Sequence, residues 1–249
     1  MKVLVLAGGF ARRMGKLGEN TPKALLPVAG RPVIEHILDR VQPLSDAVKV
    51  SISTNKKFEK HFSGWLSGLD KDVDLFVEPA TKEGQKLGSI GALDFFVKQK
   101  GVEDDLLVIN GDNLFEFRLD ELVDFFKRKG TLVFGAYDTQ SIDEARKMGV
   151  VQSDHGGLVL DFEEKPEKPK STTVSTGIYL FPKGSLPLIS QYISEGNSPD
   201  RMGDLLIWLK QRQPIHTFTF SGRWFDIGSP ETYRKADEEF GKRTGGENA

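Results

Sequence analysis

The residues best equipped for chemistry begin at the amino terminus. Residues 3–13 read VLVLAGGFARR, an apolar run that breaks into Gly8-Gly9 and then the adjacent Arg12 and Arg13. Glycines at the end of a strand let the backbone turn sharply and approach a ligand, and their amides can cradle phosphate without side-chain bulk. Lys23 follows ten residues after Arg13 in TPKALLPV, bracketed by Pro22 and Pro27, which stiffen its segment. Cations held beside a glycine-rich turn suit phosphoryl or nucleotidyl transfer, where charge builds on a leaving pyrophosphate. Asp112, in NGDNLF, follows an apolar strand at the carboxyl end, where open α/β sheets place ligands; Asp226 stands in WFDIGSP. Taken singly, neither aspartate says much, since an Asp in such a setting is more often a turn residue. In FEEKP at 162–166, Glu164 and Lys165 precede Pro166, which restricts the Lys165 backbone; the same charges also read as a hairpin edge.

Two familiar phosphate loops are excluded. A P-loop encloses four residues between its glycines and ends in Lys-Ser/Thr, whereas Gly9 to Gly15 encloses five and Lys16 is followed by Leu17. A dinucleotide fingerprint needs G-x-G-x-x-G, and here Gly8 and Gly9 are adjacent.

These residues need a frame, and the patterning predicts one. Strand-like runs at Val3–Leu6, Val48–Ser53, Leu75–Val77, Leu106–Asn110 and Thr131–Tyr137 alternate with helical patterns at Pro32–Val41, Lys56–Leu69, Ile90–Val97 and Leu119–Arg128. Alternation of this kind predicts a mostly parallel sheet covered by helices. Near residue 149 the pattern changes: Gly149–Ser153, Leu158–Glu164 and Thr173–Phe181 are strand-like, with DHGG at 154–157 marking a hairpin. Helices near 184–194 and 202–211, a strand at Ile215–Phe220 and a last helix from about Pro230 to Gly241 complete the expectation. Without linker, repeat or low-complexity tract, the chain reads as one domain over 1–249 with a frayed tail at 244–249.

The bulk numbers are those of a globular protein. The 249 residues carry 38% hydrophobic and 28% charged side chains and a formal charge of −2, with no signature of nucleic-acid or membrane partners. There are no cysteines, which excludes disulfides, thiolate metal sites and a cysteine nucleophile. The four histidines, His36, His61, His155 and His216, are scattered and form neither a metal cluster nor a triad pattern. With no leader-like start and no apolar stretch of spanning length, the expectation is a cytoplasmic protein.

Written as LAGGxxxRM…TPKxLLPVAGxPxIEH, residues 6–36 resemble the sugar-1-phosphate nucleotidylyltransferases, which make nucleotide-diphosphate sugars from a nucleoside triphosphate (NTP) and a sugar 1-phosphate. LGSIGAL at 87–93, NGDNLF at 110–115, GVV at 149–151, FEEKP, STGIYLF at 175–181 and WFDIGSP at 224–230 follow in the family's order. The resemblance implies an α/β fold of the nucleotide-diphospho-sugar transferase type: a Rossmann-like three-layer sandwich with a mixed, mostly parallel central sheet and a small antiparallel excursion. Residues 1–140 would mainly bind NTP and 141–230 mainly the sugar phosphate. It further implies that Arg13 and Lys23 hold the phosphates at the reaction centre and that Asp112 and Asp226 are the ligands of a Mg²⁺ cofactor, which needs only one or two carboxylates besides phosphates and water. Ala7, Gly8, Gly9, Arg12, Glu78 and Gly88 would bind the nucleotide; Gly149, Glu164, Lys165 and Thr176 would bind the sugar phosphate.

The sequence also departs from the family. Where the loop usually reads G-G-x-G-T-R, Ala11 and Arg12 replace the second Gly and the Thr. Where a glutamine often ends the third strand, Glu78 appears; a carboxylate only accepts hydrogen bonds, which suits the paired N–H donors of guanine and leans toward GTP. The alternatives are a related transferase with phosphocholine or molybdopterin as acceptor, and a non-catalytic nucleotide-sugar regulator. Retention of Arg13, Lys23, Asp112 and Asp226 favours an enzyme. With no acyltransferase-like extension after the last helix, a monofunctional protein is expected. Oligomeric state and the identity of the sugar stay open.

Overall fold

The computed structural model describes residues 1–44 and 48–244. In chain order the elements are β1 (Lys2–Leu6), α1 (Lys16–Glu19), β2 (Pro27–Val28), β3 (Arg31–Pro32), α2 (Val33–Val41), β4 (Lys49–Asn55), α3 (Glu59–Leu66) and β5 (Val73–Glu78). Then come α4 (Gly88–Lys100), β6 (Leu106–Asn110), β7 (Asn113–Phe115), α5 (Leu119–Lys129), β8 (Leu132–Asp138) and α6 (Ile142–Ala145). The remainder is β9 (Gly149–Ser153), β10 (Val159–Glu164), β11 (Thr173–Phe181), α7 (Leu186–Ser194), α8 (Met202–Lys210), β12 (Ile215–Phe220), β13 (Trp224–Asp226) and α9 (Pro230–Thr244). Short 3-10 turns at Arg12–Met14 and Lys23–Leu25 carry the basic residues singled out above. The class is α/β with a mixed, mostly parallel central sheet and small antiparallel additions.

The chain forms two compact units. The first comprises Met1–Leu4, Leu87–Ile109 and Arg118–Ser221; the second comprises Val5–Lys86, Asn110–Phe117 and the described residues from Gly222. In the first unit the strands run β10-β9-β11-β6, with β8 beside β11 and β12 beside β8. β6, β8, β9 and β12 point one way, and β10 and β11 the other. Their apolar runs are continuous because both faces are covered: Leu106–Ile109 and Ile178, Leu180 and Phe181 are fully buried. The expected hairpin is present; the Asp154 side chain accepts from the Gly156 and Leu158 amides across the turn.

In the second unit β4 and β5 pair in parallel from Val50↔Val73 to Asn55↔Glu78. Helix α2 buries Val33, Ile34, Ile37, Leu38 and Val41, the one-sided spacing read from the sequence. Before it, Ala29 and Gly30 (φ 50° and 79°) form the two-residue, positive-φ loop that twists β2 onto β3. Elements not expected from the sequence are α1, β2, β3, α6 and, of most consequence, the antiparallel pair β7·β13. No helix among the described residues is long and apolar enough to cross a membrane. Of the expected frayed tail, everything beyond Thr244 lies outside the described residues.

Candidate functional site

The opening loop leaves β1 under tight control. The Ala7 amide donates to the Ser53 carbonyl at 2.8 Å, and the fully buried Asn55 donates from Nδ2 to the Gly8 carbonyl at 2.9 Å. Asn55 Oδ1 in turn accepts from the Phe58 amide at 3.1 Å, so one side chain ties the loop to the end of β4. Gly8 is glycine because a Cβ there would stand 2.9 Å from Glu78 Cδ, whereas Gly9 faces open space. Ala11 adopts the left-handed conformation (φ 54°, ψ 27°), the geometry for which the family's usual glycine is suited, and its carbonyl accepts from Met14 to close the turn bearing Arg12 and Arg13.

The loop opens onto a cleft of about 560 Å³ whose lining includes Gly9, Ala11, Arg12, Arg13, Lys23 and Gly228. The Lys23 ammonium pairs with the Asp112 carboxylate and donates to the Ile227 carbonyl at 3.2 Å. Asp112 and Asp226 take neighbouring backbone positions because β7 and β13 pair in the register Asn113↔Asp226, and the Ile227 amide closes that end of the ribbon on the Asp112 carbonyl at 2.9 Å. Gly228 supplies the remaining space: a Cβ there would lie 3.3 Å from Asp226 Oδ2 and 3.6 and 3.7 Å from the two terminal nitrogens of Arg13. Arg13, Lys23, Asp112 and Asp226, distant in sequence, are thus brought together. Among the described residues no group of three or more His, Asp or Glu could hold a metal by itself. Two hard-oxygen carboxylates beside a cationic cleft fit a Mg²⁺ that completes its shell with phosphate and water.

Glu78 ends β5 beneath the loop rather than along the cleft lining. It is 3% exposed, accepts the Ser53 hydroxyl at 2.7 Å, and burial pushes its carboxyl above the usual carboxylate range despite that bond. To read guanine it would have to leave that seat.

The first unit gathers most of the other predicted residues. Glu164 stands opposite Gly149 in the β9·β10 pair, and a Cβ on Gly149 would lie 3.2 Å from Glu164 Oε2 and closer still to the Phe162 ring. Burial raises the Glu164 carboxyl, the nearby Lys165 ammonium partly offsetting it. Lys165 has φ 52°, a strained conformation for a lysine, and its amide is anchored on the Met148 carbonyl at 3.0 Å; strain of this kind gathers at ligand-holding positions. Thr176 is buried and donates its hydroxyl to the Gly135 carbonyl at 2.9 Å. Gly88, expected with the nucleotide residues, also belongs to this unit: it starts α4 at φ 75°, where a Cβ would collide with the backbone of Pro199 and Asp200.

Two contributors escaped the sequence reading. Asn55 looks like an ordinary strand-end turn former. Gly203, near the start of α8, leaves the space the Glu164 carboxyl occupies; a Cβ there would lie 2.9 Å from Glu164 Cδ and 3.1 Å from Phe162 Cε1. No sequence signal marks it, since glycine near a helix start is unremarkable.

A family model for nucleotidyl transferases matches residues 2–243. The chain is 29% identical over 231 residues to the bifunctional protein GlmU of Methanocaldococcus jannaschii, covering 92% of this chain and 52% of that protein. It is 28% identical over 240 residues to a provisionally assigned mannose-1-phosphate guanyltransferase of Sulfolobus acidocaldarius, covering 96% and 63%. The chain therefore spans between about half and just under two thirds of these curated relatives. Among solved structures it is similar to a provisionally assigned glucose-1-phosphate thymidylyltransferase from Bacillus anthracis, in complex with a sucrose. The TM-score is 0.81 at 26% identity, covering 97% of this chain and 95% of the other.

Proposed function

Since this chain belongs to the nucleotidyl transferase family, we propose that it condenses an NTP with a sugar 1-phosphate to give a nucleotide-diphosphate sugar and pyrophosphate. The observation that carries this proposal is the gathering around Gly228 and Lys23: two cations and two carboxylates at the mouth of a loop whose open glycine can approach phosphate. Gly8 and Gly9 would cradle the triphosphate, with Ala7 and Arg12 beside them. Arg13 and Lys23 would neutralise the charge that builds on the leaving pyrophosphate. Lys23 now neutralises Asp112, so it would exchange that partner for phosphate as substrate enters.

Asp112 and Asp226 would hold Mg²⁺, which when bound supplies charge neutralisation between the two reacting phosphates. In the first unit Lys165 would hold the sugar phosphate and Glu164 the sugar hydroxyls, with Gly149 and Thr176 shaping that side. The reaction asks no residue to form a covalent intermediate. A sugar phosphate oxygen attacks the α-phosphorus, the bond to pyrophosphate breaks, and the chain supplies position and charge. For the base, a carboxylate acceptor would favour guanine only if Glu78 left its seat on Ser53 to meet it, and one relative's name refers to guanyl transfer.

The test is pyrophosphate release with Mg²⁺ over a panel of NTPs and sugar 1-phosphates, with phosphocholine included. Release with one sugar 1-phosphate supports the proposal, and a GTP preference supports the role of Glu78. Release with phosphocholine alone, or none while nucleotide still raises the melting temperature, overturns it.

A further inference from the structure

The two aspartates are delivered by a ribbon too small to hold its own register. β7 and β13 share three residue pairs: Asn113↔Asp226, Leu114↔Phe225 and Phe115↔Trp224. A two-stranded pair is marginal in water, and a slip of one residue would turn Asp226 to the opposite face. The bond from Trp224 Nε1 to Asn113 Oδ1 at 2.7 Å resists that slip, as do the Ile227 amide on the Asp112 carbonyl and the burial of Leu114 and Phe115.

The next rung, just beyond the strands, is Glu116 and Arg223. The Glu116 amide donates to the Arg223 carbonyl at 3.1 Å. Their side chains meet as a two-pronged fork, Arg223 Nε to Glu116 Oε2 at 2.7 Å and Nη2 to Oε1 at 2.6 Å. The remaining nitrogen, Nη1, donates to the Glu239 carbonyl on α9 at 2.6 Å, and the guanidinium lies 4.8 Å from the centre of the Phe240 ring. One arginine therefore fastens both strands to each other and to the last helix. The side chains are 18% and 30% exposed, and bidentate geometry of this kind is the stronger class of ion pair.

We propose that Glu116 and Arg223 are positioning residues for the metal-binding carboxylates: their fork sets the β7·β13 register that holds Asp226 against Asp112. This rests on the metal reading given above. The effect is geometric. Arg223 precedes Asp226 by three residues, roughly 10 Å of extended strand, and its charge is already paired with Glu116. A lysine keeps the charge and loses the fork, so Arg223→Lys separates the two effects.

The test measures Mn²⁺ binding by water-proton relaxation, with the triphosphate found active, in the wild-type chain and in Arg223→Lys, Arg223→Ala and Glu116→Gln. Triphosphate affinity without metal and the melting temperature are measured in parallel. Each variant should bind Mn²⁺ about tenfold more weakly, as loss of a group orienting a ligand does. Metal-free triphosphate affinity should stay at the wild-type value, and the exchange Glu116→Arg with Arg223→Glu should recover part of the loss. Folded Arg223→Lys or Glu116→Gln binding Mn²⁺ as tightly as wild type, even with a lowered melting temperature, overturns the proposal and leaves the proposed function standing. Failure of the wild type itself to bind Mn²⁺ with the triphosphate overturns the metal reading and this proposal together.

Discussion

Gly203→Ala sets two consequences of the structure against each other. Alanine is the better helix residue, by at most about 0.5–1 kcal/mol at this second position of α8. Its Cβ would nevertheless stand 2.9 Å from Glu164 Cδ and 3.1 Å from Phe162 Cε1, with Glu164 Oε2 closer still. Phe162 is 6% exposed and meets Phe134 edge-on at 5.7 Å, so the ring has little room to yield. The Glu164 carboxyl is the movable end of a flexible side chain and must withdraw by about an ångström to restore ordinary contact. Forcing it out costs about 1–3 kcal/mol in overpacking. The helix gain offsets part of this, as does release of a carboxylate that burial holds above its usual range. The variant should fold with a stability change of about 1 kcal/mol. Its binding should suffer more. A hydrogen bond to a charged group contributes about 1.5–3 kcal/mol, so a displaced Glu164 should raise KM for the sugar 1-phosphate roughly tenfold or more. Steady-state kinetics with each substrate varied in turn, alongside urea unfolding, read both quantities. An unchanged sugar KM in a folded variant, or an equal rise in the NTP KM, would refute the placement of Glu164 in the sugar site.

Asp226→Asn preserves shape and removes a carboxylate; turnover should fall by about two orders of magnitude with an unchanged melting temperature, and a near wild-type rate would remove Asp226 from the mechanism. Glu78→Gln tests a buried acid whose folded pKa is raised above the reference value of 4.5. Its stabilising contribution is complete below the unfolded pKa and is lost as pH rises through the folded one. The wild type should therefore lose stability over that window while the Gln variant does not. Urea midpoints that run parallel across about pH 4 to 8 would contradict the burial account. Ala11→Gly relieves a left-handed alanine. The relief of about 1–2 kcal/mol, less glycine's entropic cost of about 0.5–1 kcal/mol, predicts a slightly raised melting temperature; a lowered one would show that the Ala11 side chain packs more than its backbone strains.

Much of the frame was legible because long apolar runs admit few interpretations. Leu106–Asn110, Thr173–Phe181 and the one-sided pattern of Val33–Val41 all appear where periodicity places them. β7 and β13 were not legible: three residues carry no period, and their pairing spans more than a hundred positions. That pairing is what turns Asp112 and Asp226 from two plausible turn residues into neighbours. Asn55 and Gly203 were missed for a related reason, since each matters through a partner, the Gly8 carbonyl or the Glu164 carboxyl, that only the folded chain brings near. Lys165 illustrates a third limit. Its following proline marks a restricted backbone, but not the left-handed conformation it adopts. Glu78 was legible as an acceptor at a strand end; its burial against Ser53 was not.

Transfer of a nucleotidyl group is tested by following the phosphates. Incubation with a sugar 1-phosphate and NTP labelled at either the α- or the γ-phosphate, with Mg²⁺ present, distinguishes the bond that breaks. The α-label should enter a nucleotide-sugar product while the γ-label leaves wholly in pyrophosphate. Appearance of γ-label on the sugar, or release of γ-label as orthophosphate with no α-labelled sugar product, would contradict nucleotidyl transfer.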